Sequence, residues 1–166
     1  VLVEQLDGEE PLLLMACGSY QLAEMQRAAV RLRTAGLAYR LVYVQEPGRF
    51  RAPRDRWEAQ ALASPEVVAQ LFAPALRRRV LLTHMRPEVA RGHLWPLLPD
   101  ASNTVVLGYR NRGGTLDEAG MQFANSATWA HILDACAQLL QVPLSGVLSA
   151  AEITAVKGEG DPRVLR

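Results

Sequence analysis

The run Leu12 to Cys17, LLLMAC, is apolar at every position. A strand with one wet face alternates, so an unbroken apolar run of strand length has to be covered on both sides, as in the middle of a parallel sheet. The run is the longest of its kind here and falls far short of the roughly 20 residues needed to cross a bilayer. Gly18 and Ser19 follow, and then Leu22, Met25, Ala29 and Leu32 recur at helical spacing until Gly36 offers a stop. Leu37 to Val44 is rich in β-branched and aromatic residues and is closed by Glu46, Pro47 and Gly48, the pattern of a second strand. Strand, helix and strand in so short a span make a βαβ unit, and the fold class expected is α/β.

The later segments repeat the alternation. Arg49 to Arg56 carries four arginines and Pro53 and reads as a solvated loop entering a helix near Trp57. Ser64-Pro65-Glu66 has the form of an N-cap with proline at the first helical position, opening a short helix through Leu71 and Phe72. Val80 to Thr83 is a third strand, ended by His84. Glu88 to Trp95 allows about two helical turns before Pro96 and Pro99, and Thr104 to Leu107 is a fourth strand. Gly108 to Gly120, GYRNRGGTLDEAG, holds four glycines in thirteen residues and is turn chemistry. Asn125 or Ser126 is the expected cap of a helix carrying Trp129, Ile132, Leu133, Cys136 and Leu140 on its core face. A short helix is expected over Ala150 to Val156, and the Gly, Pro and charge of GEGDPRVLR favour a flexible tail. The reading is one domain over 11–156, a linker from a preceding domain over 1–10 and a flexible tail over 157–166.

Composition narrows the class without naming a function. The 166 residues are 49% hydrophobic and 21% charged, enough for one core. Eighteen basic against seventeen acidic residues leave +1, which gives no field that argues for nucleic acid. Seventeen of the eighteen basic residues are arginine, a coding bias or a sign of phosphate recognition through the guanidinium fork. Two cysteines suit a reducing cytosol, although one bridge between Cys17 and Cys136 is not excluded by count. VLVEQLDGEE lacks the basic and apolar regions of a secretory signal, so a cytoplasmic, non-membrane protein is expected. It also lacks an initiator methionine, which suggests a piece of a longer chain.

Three places could carry chemistry. A strand entering Gly18-Ser19 and a helix sets free N–H groups at the carboxyl edge of a sheet, where anions bind, or simply makes a tight turn. The segment CGSYQLAEM matches neither a dinucleotide nor a P-loop fingerprint. Cys17 with His84 could pair a thiol nucleophile with a base, or Cys17 could be a small buried hydrophobe. Tyr109, Arg110, Asn111 and Arg112 offer aromatic, cationic and amide groups for a ligand or partner, or belong to a crossover whose glycines supply positive φ. His84, His93 and His131 have no metal-ligand spacing, Cys136 lies on an apolar helix face, and Trp57, Trp95 and Trp129 are too dispersed for base stacking. The candidate anion or interface contacts are Gly18, Ser19, His84, Tyr109, Arg110 and Arg112, with no catalytic, cofactor-binding or metal-binding residue assigned.

Three stretches, PLLLMACGSYQLAEMQRAAVRLRTAGLAYRLVYV, VLLTHMRPEVARGHLWPLL and VVLGYRNRGGTLDEAGMQFANSATWAHILDACAQLL, resemble the C-terminal domain of thiamine-diphosphate-dependent phosphoketolases. The likeness covers roughly residues 11 to 142. It lies in the strand, glycine turn, helix and strand of the opening, in the strand ending in His84, and in Gly108-Tyr109 followed by Gly114-Thr115. The opening is also similar to transketolases. Where phosphoketolases carry a threonine run and Pro-Phe-Asp-Met, this chain has GGTLDEAGM, which leaves a transketolase-like branch open.

The resemblance implies a three-layer sandwich around a mixed, mostly parallel sheet of about five strands, forming the third domain of a homodimeric enzyme. It implies thiamine diphosphate and magnesium bound between the two preceding domains, not here, since no GDG followed by a metal-binding Asn occurs. The whole enzyme would cleave the sugar phosphates xylulose 5-phosphate or fructose 6-phosphate with phosphate, giving acetyl phosphate and a shorter aldose phosphate. This domain would be non-catalytic and serve domain packing, dimerisation or regulation. Two other expectations stand beside it: a free-standing α/β module holding a phosphorylated ligand at Gly18-Ser19, and a small thiol hydrolase using Cys17 and His84.

Overall fold

The computed structural model describes residues 1–112 and 114–166. Its sheet contains β1 (Leu2–Leu6), β2 (Leu12–Cys17), β3 (Tyr39–Tyr43), β4 (Arg79–Thr83) and β5 (Thr104–Gly108). They lie in the order β1-β3-β2-β4-β5. β1 runs antiparallel to β3 and every other pairing is parallel, so the sheet is mixed and mostly parallel, as expected. The helices are α1 (Ser19–Thr34), α2 (Arg56–Ala59), α3 (Pro65–Leu71), α4 (Pro87–His93), α5 (Glu118–Ala124), α6 (Trp129–Leu140) and α7 (Ala150–Val156).

All six residues of β2 are buried, which is why they are all apolar. Successive side chains alternate between faces. Leu12, Leu14 and Ala16 join one core with Met25, Ala28, Ala29 and Leu32 of α1 and Ile132, Leu133 and Cys136 of α6. Leu13, Met15 and Cys17 join a second core with Phe72, Leu76, Ala90, Leu94 and Leu97. Helices thus cover both faces and the architecture is a three-layer α/β sandwich. Cys17 and Cys136 are free thiols in different cores on opposite faces, so no bridge joins them. Among the described residues no helix is long and apolar enough to cross a membrane.

The second face is held partly by a buried cation. Arg79 donates from Nε to the Leu76 carbonyl (2.9 Å) and from its Nη atoms to the carbonyls of Leu97 and Phe72. Among the described residues no carboxylate pairs with it. Burial draws its proton affinity below the ordinary arginine value, and three carbonyl dipoles compensate the charge.

Five expectations give way. The lead over 1–10 is more than a linker, because Leu2–Leu6 is an edge strand on β3. Its side chains remain mostly exposed, so its burial signal is weak. The tail over 157–166 is docked: Leu165 is buried, and its carbonyl accepts from Trp129 Nε1 at 2.8 Å and from Arg27. Helical structure resumes at Glu118, inside the glycine-rich stretch, with the Asp117 carboxylate accepting from Gly120 N at 2.8 Å. Neither Asn125 nor Ser126 caps α6. Thr128 holds that position, and the Glu24 carboxylate of α1 accepts from Trp129 N, giving the positive helix end an anion from across the core. The arginines of the 49–56 loop also do more than meet solvent, since Arg51 and Arg54 both pair with Glu58.

Candidate functional site

From central β2 the chain goes outward to β3, then returns past β2 to lay down β4 and β5 on the other side. The carboxyl ends of β2 and β4 therefore flank a switch point, where the connections diverge and leave a crevice. Gly18 follows β2 and His84 follows β4, and the two meet there. Gly18 has φ 116°, ψ 151°, and a Cβ on it would overlap Gln21 Oε1 and lie 3.3 Å from His84 Nδ1. Only glycine makes this turn without displacing its neighbours.

His84 is fixed by the carbonyl of Cys17, which accepts from the backbone N–H at 3.3 Å and lies 3.0 Å from Nδ1. A carbonyl only accepts, so Nδ1 carries a hydrogen. The ring nitrogen hydrogen-bonds the Cys17 backbone carbonyl, and the thiol's hydrogen-bond partner is Thr83. That thiol is buried, and desolvation raises its pKa despite a hydrogen bond with Thr83 that pulls the other way. Burial pushes the Cys136 thiol up to about 12. Burial thus works against thiolate formation at both cysteines, as for Cys17 read as a small buried hydrophobe.

At the end of β5, Gly108 packs against Met85, and a Cβ would fall inside contact distance of the Met85 carbonyl and of Thr83. The same carbonyl accepts from Tyr109 N at 3.1 Å. The chain beyond is braced by Asn125, which is 3% exposed. Its Oδ1 accepts from the amides of Arg110 (2.7 Å) and Arg112 (3.3 Å), and its Nδ2 donates to the carbonyls of Arg112 (3.1 Å) and Met121 (2.8 Å). Tyr109 donates its hydroxyl to Asn111 Oδ1 at 2.8 Å, and Asn111 adopts φ 58°. Gly114 has φ 60°, in keeping with the turn chemistry expected there, while Gly113 lies outside the described residues.

Two clefts meet at Tyr109. One, of about 310 Å³, is lined by Gln21, His84 and Tyr109 together with Leu116, Met121 and Asn125. The other, of about 390 Å³, is lined by Arg86, Glu88, Tyr109, Arg110 and Arg112. Of the six candidate residues, His84 and Tyr109 line the first cleft, Tyr109, Arg110 and Arg112 line the second, and Gly18 lies beside His84 without lining either. Ser19 is exposed at the start of α1 and lines neither. Sequence reading missed Gln21, Arg86 and Asn125. A glutamine three residues after Gly18 is a helix-start signal, whereas the roles of Arg86 and Asn125 depend on neighbours remote in sequence.

The other histidines lie apart from the clefts. His131 Nδ1 is 2.8 Å from Thr128 Oγ1, and burial lowers its pKa to about 4, helped by Arg110 and opposed by Asp134. His93 ends α4. Trp57 and Trp95 are exposed, whereas Trp129 is buried beneath the guanidinium groups of Arg27 and Arg31. Among the described residues, no three His, Cys, Asp or Glu side chains are grouped so as to share a metal ion. Comparison with known proteins finds no matching family model and no matching curated protein.

Proposed function

We propose that this chain is the non-catalytic C-terminal domain of a thiamine-diphosphate-dependent phosphoketolase, contributing to domain packing, dimerisation or regulation. The observation that supports this reading is the convergence of its three signature segments. The Gly18 turn, the strand ending in His84 and the Gly108-Tyr109 stretch come from distant parts of the chain and meet at one edge of a mostly parallel sheet. The α/β sandwich is also the architecture that the resemblance implies. In this reading the cofactor and magnesium belong to the preceding domains of the same polypeptide, which also bind the sugar phosphate, and the parent enzyme is a cytoplasmic homodimer.

The test uses the native polypeptide, captured from source-cell extract with antibody to this chain. The expected product is several times larger than 18.2 kDa. It forms acetyl phosphate from xylulose 5-phosphate or fructose 6-phosphate and inorganic phosphate when thiamine diphosphate and magnesium are supplied. A native product near 18.2 kDa, or a large one that forms no acetyl phosphate under these conditions, refutes the assignment.

A further inference from the structure

Most of the seventeen arginines are engaged. Eight form ion pairs: Arg27, Arg31, Arg33, Arg51, Arg54, Arg78, Arg163 and Arg166. Arg40, Arg79 and Arg91 donate side-chain hydrogen bonds to backbone carbonyls, and Arg56 lies over the Trp57 ring. Among the described residues this leaves Arg49, Arg77, Arg86, Arg110 and Arg112 without a side-chain partner. Three of those five line one cleft, with Glu88 as its single carboxylate.

The cleft is built on braced backbone. Asn125 holds the main chain at Arg110 and Arg112 through the amide and carbonyl bonds described above, leaving both guanidinium groups uncommitted. Arg86 stands immediately before α4, whose first turn contains Pro87. Three guanidinium groups against the one carboxylate of Glu88 leave an excess of positive charge, which a phosphate relieves while accepting paired N–H bonds. The neighbouring cleft across Tyr109 differs in character. Leu116 and Met121 give it apolar walls, Gln21 lines it beside His84, and its one carboxylate, Glu118, disfavours an anion there.

We propose that the two clefts form one bipartite site for a small organic phosphate, with the phosphate on Arg86, Arg110 and Arg112 and the uncharged body between Tyr109, Gln21 and His84. This inference does not rest on the enzyme assignment, and its test makes no use of catalysis.

The test is a titration of the full 166-residue chain followed by amide chemical shifts, with phenyl phosphate, inorganic phosphate and benzyl alcohol as probes. Phenyl phosphate is expected to shift the Gln21, His84, Tyr109 and Arg112 amides saturably and to bind more tightly than either other probe. Arg110→Gln combined with Arg112→Gln should weaken it about tenfold or more, whereas Arg77→Gln leaves binding unchanged. At 110 and 112 Asn125 bonds to backbone and not to side chains, so the double variant retains that brace, and its own spectrum checks this. Absence of saturable shifts overturns the proposal. So does equal weakening by Arg77→Gln, unchanged affinity in the double variant, or phenyl phosphate binding no tighter than inorganic phosphate.

Discussion

Replacing Asn125 with alanine separates the loop at the sheet edge from the core beneath it. Asn125 is almost wholly buried and makes four hydrogen bonds, three of them to the backbone at Arg110 and Arg112. A net hydrogen bond contributes about 1 kcal/mol, and a buried group left unpaired costs about 1–3 kcal/mol. The Met121 carbonyl also accepts from the Asn125 backbone N–H at 3.2 Å and stays partnered in the variant, and the amides of Arg110 and Arg112 lie in an exposed loop and can turn to water. The expected loss is therefore about 2–3 kcal/mol, below a simple sum over four bonds. Urea unfolding gives the total, and hydrogen exchange resolves its distribution. Protection should vanish at Arg110 and Arg112 while the β2 amides from Leu13 to Ala16 fall only in step with global stability. A variant within about 0.5 kcal/mol of the parent with unchanged exchange at 110 and 112 would refute the brace.

Two further outcomes are expected. Gly108→Ala forces a Cβ against the Met85 carbonyl, a backbone atom that cannot rotate away, and should cost about 1–3 kcal/mol by thermal unfolding. Unchanged stability would show that the β5 end has slack. The buried His131 ring adds a pH dependence, because its folded pKa lies near 4 against an ordinary value of 6.5. The unfolded chain takes up this proton first, so stability is unaffected above pH 6.5 and falls as pH drops from there toward 4, by on the order of 2–3 kcal/mol. Denaturation at pH 7 and 5 should show a smaller drop in His131→Gln than in the parent. An equal drop would assign the effect to other groups.

The parts legible in the sequence are those whose partners are local or whose burial is complete. β2 declared itself through six apolar residues, and α1 and α6 through their spacing. α7 was legible from its ends, with Ser149 and Glu152 forming a capping box three residues apart. β1 was not, because its mostly exposed side chains leave a weak pattern and its partner β3 lies more than thirty residues away. The α6 cap was assigned to the wrong residue because its carboxylate comes from Glu24, 105 residues earlier. The site divides in the same way. Gly18, His84 and Tyr109 stood at strand ends and could be flagged individually, but their meeting depends on strand order. Asn125 looked like a helix cap because asparagine commonly is one, and nothing nearby discloses the loop it holds.

The placement of β2 between strands drawn from both sides also bears on how the molecule comes into being. The β2-α1-β3 unit spans Leu12 to Tyr43 and needs only local loop closure, so it can assemble early. The contact that creates the crevice, Cys17 with His84, joins residues 67 positions apart and carries a larger entropic debt. The crevice therefore belongs to the finished sheet and to no separable segment. A nascent or partly unfolded chain can display the Gly18 turn or the Tyr109 loop, but the two halves of the crevice coexist only after β4 has locked onto β2, so occupancy there would report completed folding.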